Sequence, residues 1–327
     1  MKNSEIASLV SLAAVILTGS AMAAQDAPKY GGAATKIGNF SGAQFEAMKS
    51  GRLESAPSAI YSTNWTSDSN GASYTIANVG TSTTGTAPGQ GGWYTYSSGG
   101  TSTSYKIINS STLGRTGQGA YVTNSGSTSA YKFMYQDMSA QWAARNAGDN
   151  LLWAAWDQYA SATASTSANM GGASLYSGNY QILGGMGMAY GSGISGYAQR
   201  SVFGLANYNS SGTIGNYFFD LSDGTAAAPT AQSGGYTKYA TSFNQTTGEV
   251  NWFYSVDHGA NYTGFFVMGA AAGADLLELD LEMSNFGATT NAAAAANYGD
   301  LAVYATPTPG ALALVGLAGL VARRRRT

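Results

Sequence analysis

The chain contains no cysteine, which excludes a disulfide framework and thiol chemistry. It has one histidine, His258, so any Ser-His-Asp arrangement would have to be built on that one imidazole. Without cysteine and with a single histidine, the usual nitrogen and sulfur ligand set for zinc cannot be assembled. Charge is scarce, at 10% of residues, and no Lys/Arg stripe runs through the body of the chain. That excludes the electrostatic footprint of a nucleic-acid binder. There is no Walker loop, and Gly-x-Gly pairs such as Gly185-Met186-Gly187 do not open a helix after a strand, so they are not nucleotide signatures. No internal repeat is present, which disfavours a propeller or solenoid.

The two ends carry the most legible signals. Residues 1–23 place Lys2 near the start, an apolar stretch Ile6–Leu17, a Gly19/Ser20 break and then Ala21-Met22-Ala23. This reads as a secretory signal helix with cleavage after Ala23, directed by Ala21 and Ala23. Residues 307–327 begin with Pro307, Thr308, Pro309 and Gly310, continue through the apolar run Leu312–Ala322, and finish with Arg323, Arg324, Arg325 and Arg326. The run is shorter than the roughly 17–25 residues of a spanning helix, and the four arginines are held on the cytoplasmic side. The expectation is a short hydrophobic helix that holds the chain at the membrane only transiently, until a cut upstream.

This tail resembles the PEP-CTERM sorting signal of bacterial envelope proteins, with Thr308 where that signal usually has an acidic residue. The resemblance implies an exosortase-type processing partner and an address at the cell surface or in the extracellular matrix. Processing at both ends would remove five of the 15 basic residues and one of the 17 acidic ones, leaving 10 against 16 and a net charge of −6.

Between the ends, the 44% hydrophobic content suffices for one large core. Residues 24–54 read as a lead-in with a short helix over Ser41–Arg52. From 55 to 306 the pattern is β throughout: short runs rich in Tyr, Val, Ile and Phe, separated by Gly/Ser/Thr/Asn turns. Strands are expected at Ser73–Val79, Ser104–Asn109, Ala120–Asn124, Lys132–Gln136, Tyr180–Leu183, Ser201–Tyr208, Tyr217–Leu221, Tyr262–Met268, Leu276–Met283 and Asp300–Ala305. Leu151–Tyr159 is apolar on both alternating faces, as in a central strand covered on both sides, with a helix as the competing reading. Tyr239–Asn244 and Val250–Val256 flank a loop ending in Gly248-Glu249, a hairpin with glycine available for the left-handed position. The fold class is all-β, a two-sheet antiparallel jelly-roll sandwich.

Gln90-Gly91-Gly92-Trp93, the series Gly117–Val122, the Asn244–Trp252 hairpin and the closing Asn297–Val303 together resemble the concanavalin A-like, laminin-G-like jelly rolls. That resemblance implies sugar binding, protein binding or a packing role, without choosing among them.

One strand carries a hint of catalysis. In Leu277–Met283, alternation puts Glu278, Asp280 and Glu282 on one face and the leucines and Met283 on the other. This is similar to the Glu-x-Asp-x-Glu strand of the laminarinase and lichenase glycoside hydrolases. The resemblance implies Glu278 as nucleophile, Asp280 as helper and Glu282 as general acid/base of a retaining enzyme. The competing expectation, which this reading favours, is a solvent-facing acidic strand, open to water and non-catalytic.

No cofactor is expected. Ca²⁺ is the one metal whose ligand preferences suit the chain; Asp137, Asp149, Asp220, Asp223 and Asp275 lie near turns, but no spacing singles out a site. His258, between Asp257 and Gly259, reads as a surface turn residue. Trp93, Tyr94 and Tyr96 are the preferred exposed rings for a sugar face, whereas Trp153, Trp156 and Trp252 read as core. The overall expectation is an exported, non-catalytic sandwich that is structural or binds an extracellular polysaccharide.

Overall fold

The computed structural model describes residues 29–49, 57–98, 104–124, 131–194, 197–221, 230–285 and 292–308. The signal segment with Ala21 and Ala23, and the tail from Pro309 through Gly310 to Arg323–Arg326, lie outside the described residues.

Two sheets face each other. The first has eight strands, in the order β1 (Lys29–Ala33), β12 (Thr213–Asp220), β11 (Val202–Ser210), β10 (Ile182–Ala189), β9 (Asn169–Ser177), β16 (Leu276–Asn285), β7 (Tyr131–Asp137) and β4 (Tyr94–Ser97). The second runs β2 (Thr35–Ser41), β15 (Asn261–Met268), β14 (Glu249–Ser255), β13 (Gly235–Asn244), β8 (Leu151–Ala160), β17 (Ala294–Thr306), β6 (Gln118–Asn124) and β5 (Tyr105–Asn109). A ninth strand, β3 (Ser58–Thr63), pairs with the far half of β17. The ladders are antiparallel except that β1 runs parallel to β12. This is the expected all-β sandwich.

The core between the sheets follows from strand alternation. Leu152 and Trp156 of β8, Trp252 of β14, and Leu279 and Leu281 of β16 belong to one continuous buried cluster. Strand β8 is also apolar on its other side, as its sequence predicts. There Trp153 packs with Phe45, Phe253 and Tyr262 in a satellite cluster beneath the helix α1 (Gly42–Lys49). Phe45 stacks on Tyr262 with ring centroids 3.8 Å apart. The hairpin between β13 and β14 is in register from Lys238↔Ser255 to Phe243↔Val250. Asn244 Oδ1 accepts from the N–H groups of Thr246 and Thr247, and Gly248 adopts φ +79, the left-handed position that favours glycine.

Three expectations need correction. The segment taken as a lead-in is part of the sandwich, since β1 and β2 are the edge strands of the two sheets. Ser73–Val79 forms no strand; it makes only isolated bridges, Ser67↔Ser73 and Asn78↔Lys106. Its residues instead wrap an aromatic plug in which Trp65, Tyr74 and Trp93 pack ring against ring. Strand β9 was not anticipated, and β10 runs on through Gly184, Gly185 and Gly187. Glycine has poor strand propensity, but both strands are paired on both sides.

Candidate functional site: a carboxylate row on one outer face

Strand β16 lies near the middle of the first sheet, between β9 and β7. Its leucines point into the core, so Glu278, Asp280 and Glu282 project from the outer face. The register sets Glu278 beside Asp137 and Tyr176, Asp280 beside Tyr135 and Ser174, and Glu282 beside Phe133 and Gly172. Two strands further out, Tyr94 stacks on Tyr135 at 5.1 Å and Tyr96 on Phe133 at 4.9 Å. The half-buried Tyr94 and Tyr96 thus share a face with the acidic row.

The row is not open to water, which corrects the expectation of a solvent-facing strand. Glu278 is 5% and Asp280 2% exposed, while Glu282 is partly buried. Burial penalises the charged form. It lifts Glu278 to about 7, helped by Asp137, and Glu282 also to about 7. Asp280 is raised well above the carboxylate range, by burial first and then by the charges of Glu278 and Glu282. The Ser174 hydroxyl donates to Glu282 Oε1 at 2.8 Å and pulls that pKa part of the way back. Glu278 Oε1 and Asp280 Oδ1 are buried with no hydrogen-bond partner among the described residues. The same charges push the phenols of Tyr176, Tyr135 and Tyr180 upward, after burial itself.

The two glutamates both act on the aspartate between them. Alternate strand residues rise by about 6.5–7 Å, so the backbones of Glu278 and Glu282 stand about 13 Å apart along the strand. The three carboxylates form a row along one strand face, with the most strongly perturbed of them, Asp280, at its centre.

Trp93 does not belong to this face, which corrects its reading as an exposed sugar-stacking ring. It is 0% exposed, and its indole N–H is shared between the hydroxyls of Tyr61 and Tyr74 at 3.1 Å each. Trp65, which sequence reasoning passed over, packs against it at 5.3 Å.

The aspartates weighed as calcium ligands are spread around the molecule and engaged locally. Asp137 accepts from the backbone N–H and hydroxyl of Ser139, Asp149 from the Ser58 hydroxyl, and Asp275 from the indole of Trp142 and the amide of Gln245. Asp220 sits at the end of β12, and Asp223 lies outside the described residues. Among the described residues no group of three His, Cys, Asp or Glu side chains could hold a metal ion. His258 is exposed in a turn with φ +60.

No protein-family model matches the chain, and no curated protein matches it. Several solved structures are weakly similar to the chain. The CBM2 module of the evolved Dit of Lactobacillus casei BL23 phage J-1 is 6% identical, with 58% of this chain and 77% of that one covered and a TM-score of 0.38. The alginate lyase from Klebsiella pneumoniae is 8% identical over 62% of this chain and 84% of that one, with a TM-score of 0.38. The botulinum neurotoxin serotype C1 binding domain is 7% identical over 73% of this chain and 51% of that one, at 0.40. Likeness at this level decides nothing about function.

Proposed function

We propose that the chain is an exported, surface-sorted protein of the envelope or extracellular matrix whose sandwich binds an extracellular polysaccharide without cleaving it. The observation that most supports the non-catalytic reading is the closed acidic row. Glu278 and Asp280 offer almost no surface to a sugar. The half-buried Tyr94 and Tyr96 offer ring surface beside the row, and apolar ring contact is a common mode of sugar recognition.

Export and sorting rest on the two ends of the sequence. Mass spectrometry of the surface form is expected to find no peptide spanning Pro307–Ala322, and changing Arg323–Arg326 to serine is expected to misplace the precursor. Intact tail peptides recovered from the surface would end the sorting claim. For the sandwich, a glycan array run beside a reducing-end assay on β-1,3- and β-1,4-glucans separates binding from cleavage. Retention without release of reducing ends is the expected result.

A second reading, a retaining glycoside hydrolase, is favoured by one observation. Glu278 and Glu282 have pKa values near 7, where a general acid at neutral pH has to sit. Release of reducing ends by the parent, abolished in both Glu278→Gln and Glu282→Gln, would replace the first reading by this one.

A further inference from the structure

The outer face of the second sheet is built differently. Two depressions lie side by side on it, one of about 650 Å³ and one of about 260 Å³, and Asp157, Lys238 and His258 line both. Together they form one cleft with a waist. Its floor exists because two outward positions are alanines, Ala155 on β8 and Ala302 on β17, which are direct cross-strand partners. One wall is the loop after β3, carrying Asn64, Ser67 and Ser69; the other is α1 together with the His258–Gly259 turn. The turn rests on the waist, since a Cβ on Gly259 would lie 3.1 Å from the Lys238 side chain.

The chemistry of the lining selects a class of ligand. Each cation there is answered by an acid: Lys238 by Asp157 at 2.9 Å, Lys49 by Glu46 at 3.0 Å, and Arg115 by Asp300. Asp68 accepts from the Tyr74 hydroxyl and from two backbone N–H groups. What remains for a ligand is a set of hydroxyl, amide and paired ionic groups with one acid, Asp68, in excess of the cations, which offers no attraction for a polyanion. A peptide fits poorly. The cleft crosses the face of the sheet, where β8 is hydrogen-bonded on both sides, so no free strand edge is available for β-augmentation.

A separate observation points to occupancy. His258 holds φ +60 and is followed by Gly259 at φ +93, a conformation glycine adopts at lower cost than histidine. The turn is fixed without the imidazole: the Asp257 carboxylate accepts from the Ser255 hydroxyl and from the backbone and side-chain amides of Asn261. Histidine at this position therefore has a conformational cost and no structural return within the described residues. His258 lines both lobes of the cleft.

We propose that this cleft is a saccharide-binding site that takes consecutive units of a neutral polysaccharide across its Asp157–Lys238–His258 waist. It rests on the polysaccharide-binding reading for the class of partner, but places the seat on the sheet opposite Tyr94 and Tyr96.

The test measures binding of neutral β-1,3- and β-1,4-gluco-oligosaccharides to the full purified chain by calorimetry, with an oligouronate and an unstructured peptide as comparators. Ala302→Trp fills the floor from the solvent side and is expected to weaken neutral-glycan binding at least tenfold. His258→Gly is expected to weaken it several-fold while the melting temperature holds or rises. The paired change Asp157→Asn with Lys238→Gln keeps the waist neutral and serves if Ala302→Trp fails to fold; it is expected to cost several-fold as well. Ile214→Ser, on an exposed residue of the other sheet, is expected to change nothing. Parent-like binding in folded cleft variants overturns the site, as does loss confined to Tyr94→Leu/Tyr96→Leu; in both cases the polysaccharide reading stands. Preference for the oligouronate or the peptide also overturns the site. A parent that binds no saccharide at all ends both proposals.

Discussion

The two outer faces of this sandwich share backbone geometry and differ in everything a partner would meet. On the first sheet, large neighbours flank β16: Tyr176 on one side, Phe133 and Tyr135 on the other. They leave the carboxyls of Glu278 and Asp280 in a low-dielectric strip, which raises their pKa values. On the second sheet the outward positions at the centre are alanines, and the surrounding loops rise above them to make a cleft. On the first face burial disfavours the charged form of the acids; on the second, Glu46, Asp157 and Asp300 each face a lysine or arginine. Strand alternation decides which way a side chain points. The size of its cross-strand neighbours decides whether it meets water.

The largest effect that bears on this contrast is expected at Trp93, whose sequence context places it among exposed rings. Trp93→Ala removes a wholly buried indole and leaves the Tyr61 and Tyr74 hydroxyls without its N–H. Destabilisation of about 3–5 kcal/mol follows from truncating a core Trp, read as a fall in urea midpoint. A parent-like midpoint with lost glycan binding would instead put Trp93 at a ligand face and dissolve the contrast drawn here.

Next in size is the pH dependence of the sealed face. Glu278 and Glu282 have folded pKa values near 7 against an ordinary 4.5, and Asp280 moves in the same direction. A group whose folded pKa is raised contributes stability that is complete below its unfolded pKa and is lost as pH rises through the folded one. The window is therefore pH 4.5 to 7, with a loss of up to about 3 kcal/mol per glutamate at one pKa unit per 1.36 kcal/mol. Asp137, Tyr135, Tyr176 and Tyr180 are the titratable groups facing the row; the phenols are neutral throughout that range. Melting temperatures should fall from pH 4.5 to 7.5 in the parent and flatten in the combined Glu278→Gln, Asp280→Asn, Glu282→Gln variant. A flat parent profile would mean that the row is wet after all.

Much of the architecture is legible in the sequence where the signal is local. The double-sided apolar pattern of Leu151–Tyr159 is carried by consecutive residues and gives a central strand with rings on both faces. The β13–β14 hairpin is likewise announced by its own turn. What is not legible depends on partners distant in the chain. Strands β9 and β10 are glycine-rich and recruited by their neighbours. Edge strands β1 and β2 come from a stretch whose composition resembles a linker. The sealing of the acidic row depends on β7 and β9, and the cleft on two alanines that carry no sequence signal and meet only when β8 pairs with β17.

A smaller effect tests whether the cleft depends on local sheet order near the turn. Gly248 has φ +79, and a Cβ there would sit 2.9 Å from the Gly269 carbonyl oxygen. Gly248→Val is expected to cost roughly 1–3 kcal/mol from backbone strain at positive φ. The β13–β14 turn lies at the opposite end of β13 from Lys238, so saccharide affinity of the folded fraction should stay within about twofold. Loss of affinity out of proportion to stability would tie the cleft to this turn.

The smallest effect isolates a single hydrogen bond on the sealed face. Ser174 is the one side chain among the described residues that donates to the row, reaching Glu282 Oε1 at 2.8 Å, and it lowers a pKa that burial has raised. Ser174→Ala keeps the strand and the neighbouring glycine register intact, so stability at pH 4.5, where the carboxyl is largely protonated, should change by under about 1 kcal/mol. The ionised form loses its donor, and the titration midpoint of Glu282 should move upward from about 7. Carboxyl carbon chemical shifts followed against pH by NMR would report that midpoint directly. Gly185→Ala offers a second, less selective perturbation, because a Cβ there would meet the Ser174 hydroxyl at 2.5 Å and also the Ala173 carbonyl oxygen at 2.9 Å. Both variants moving Glu282 upward would confirm that the hydroxyl, rather than solvent, steadies its charge. An unchanged midpoint in both would mean that water reaches Glu282, and the two faces would then differ in shape alone.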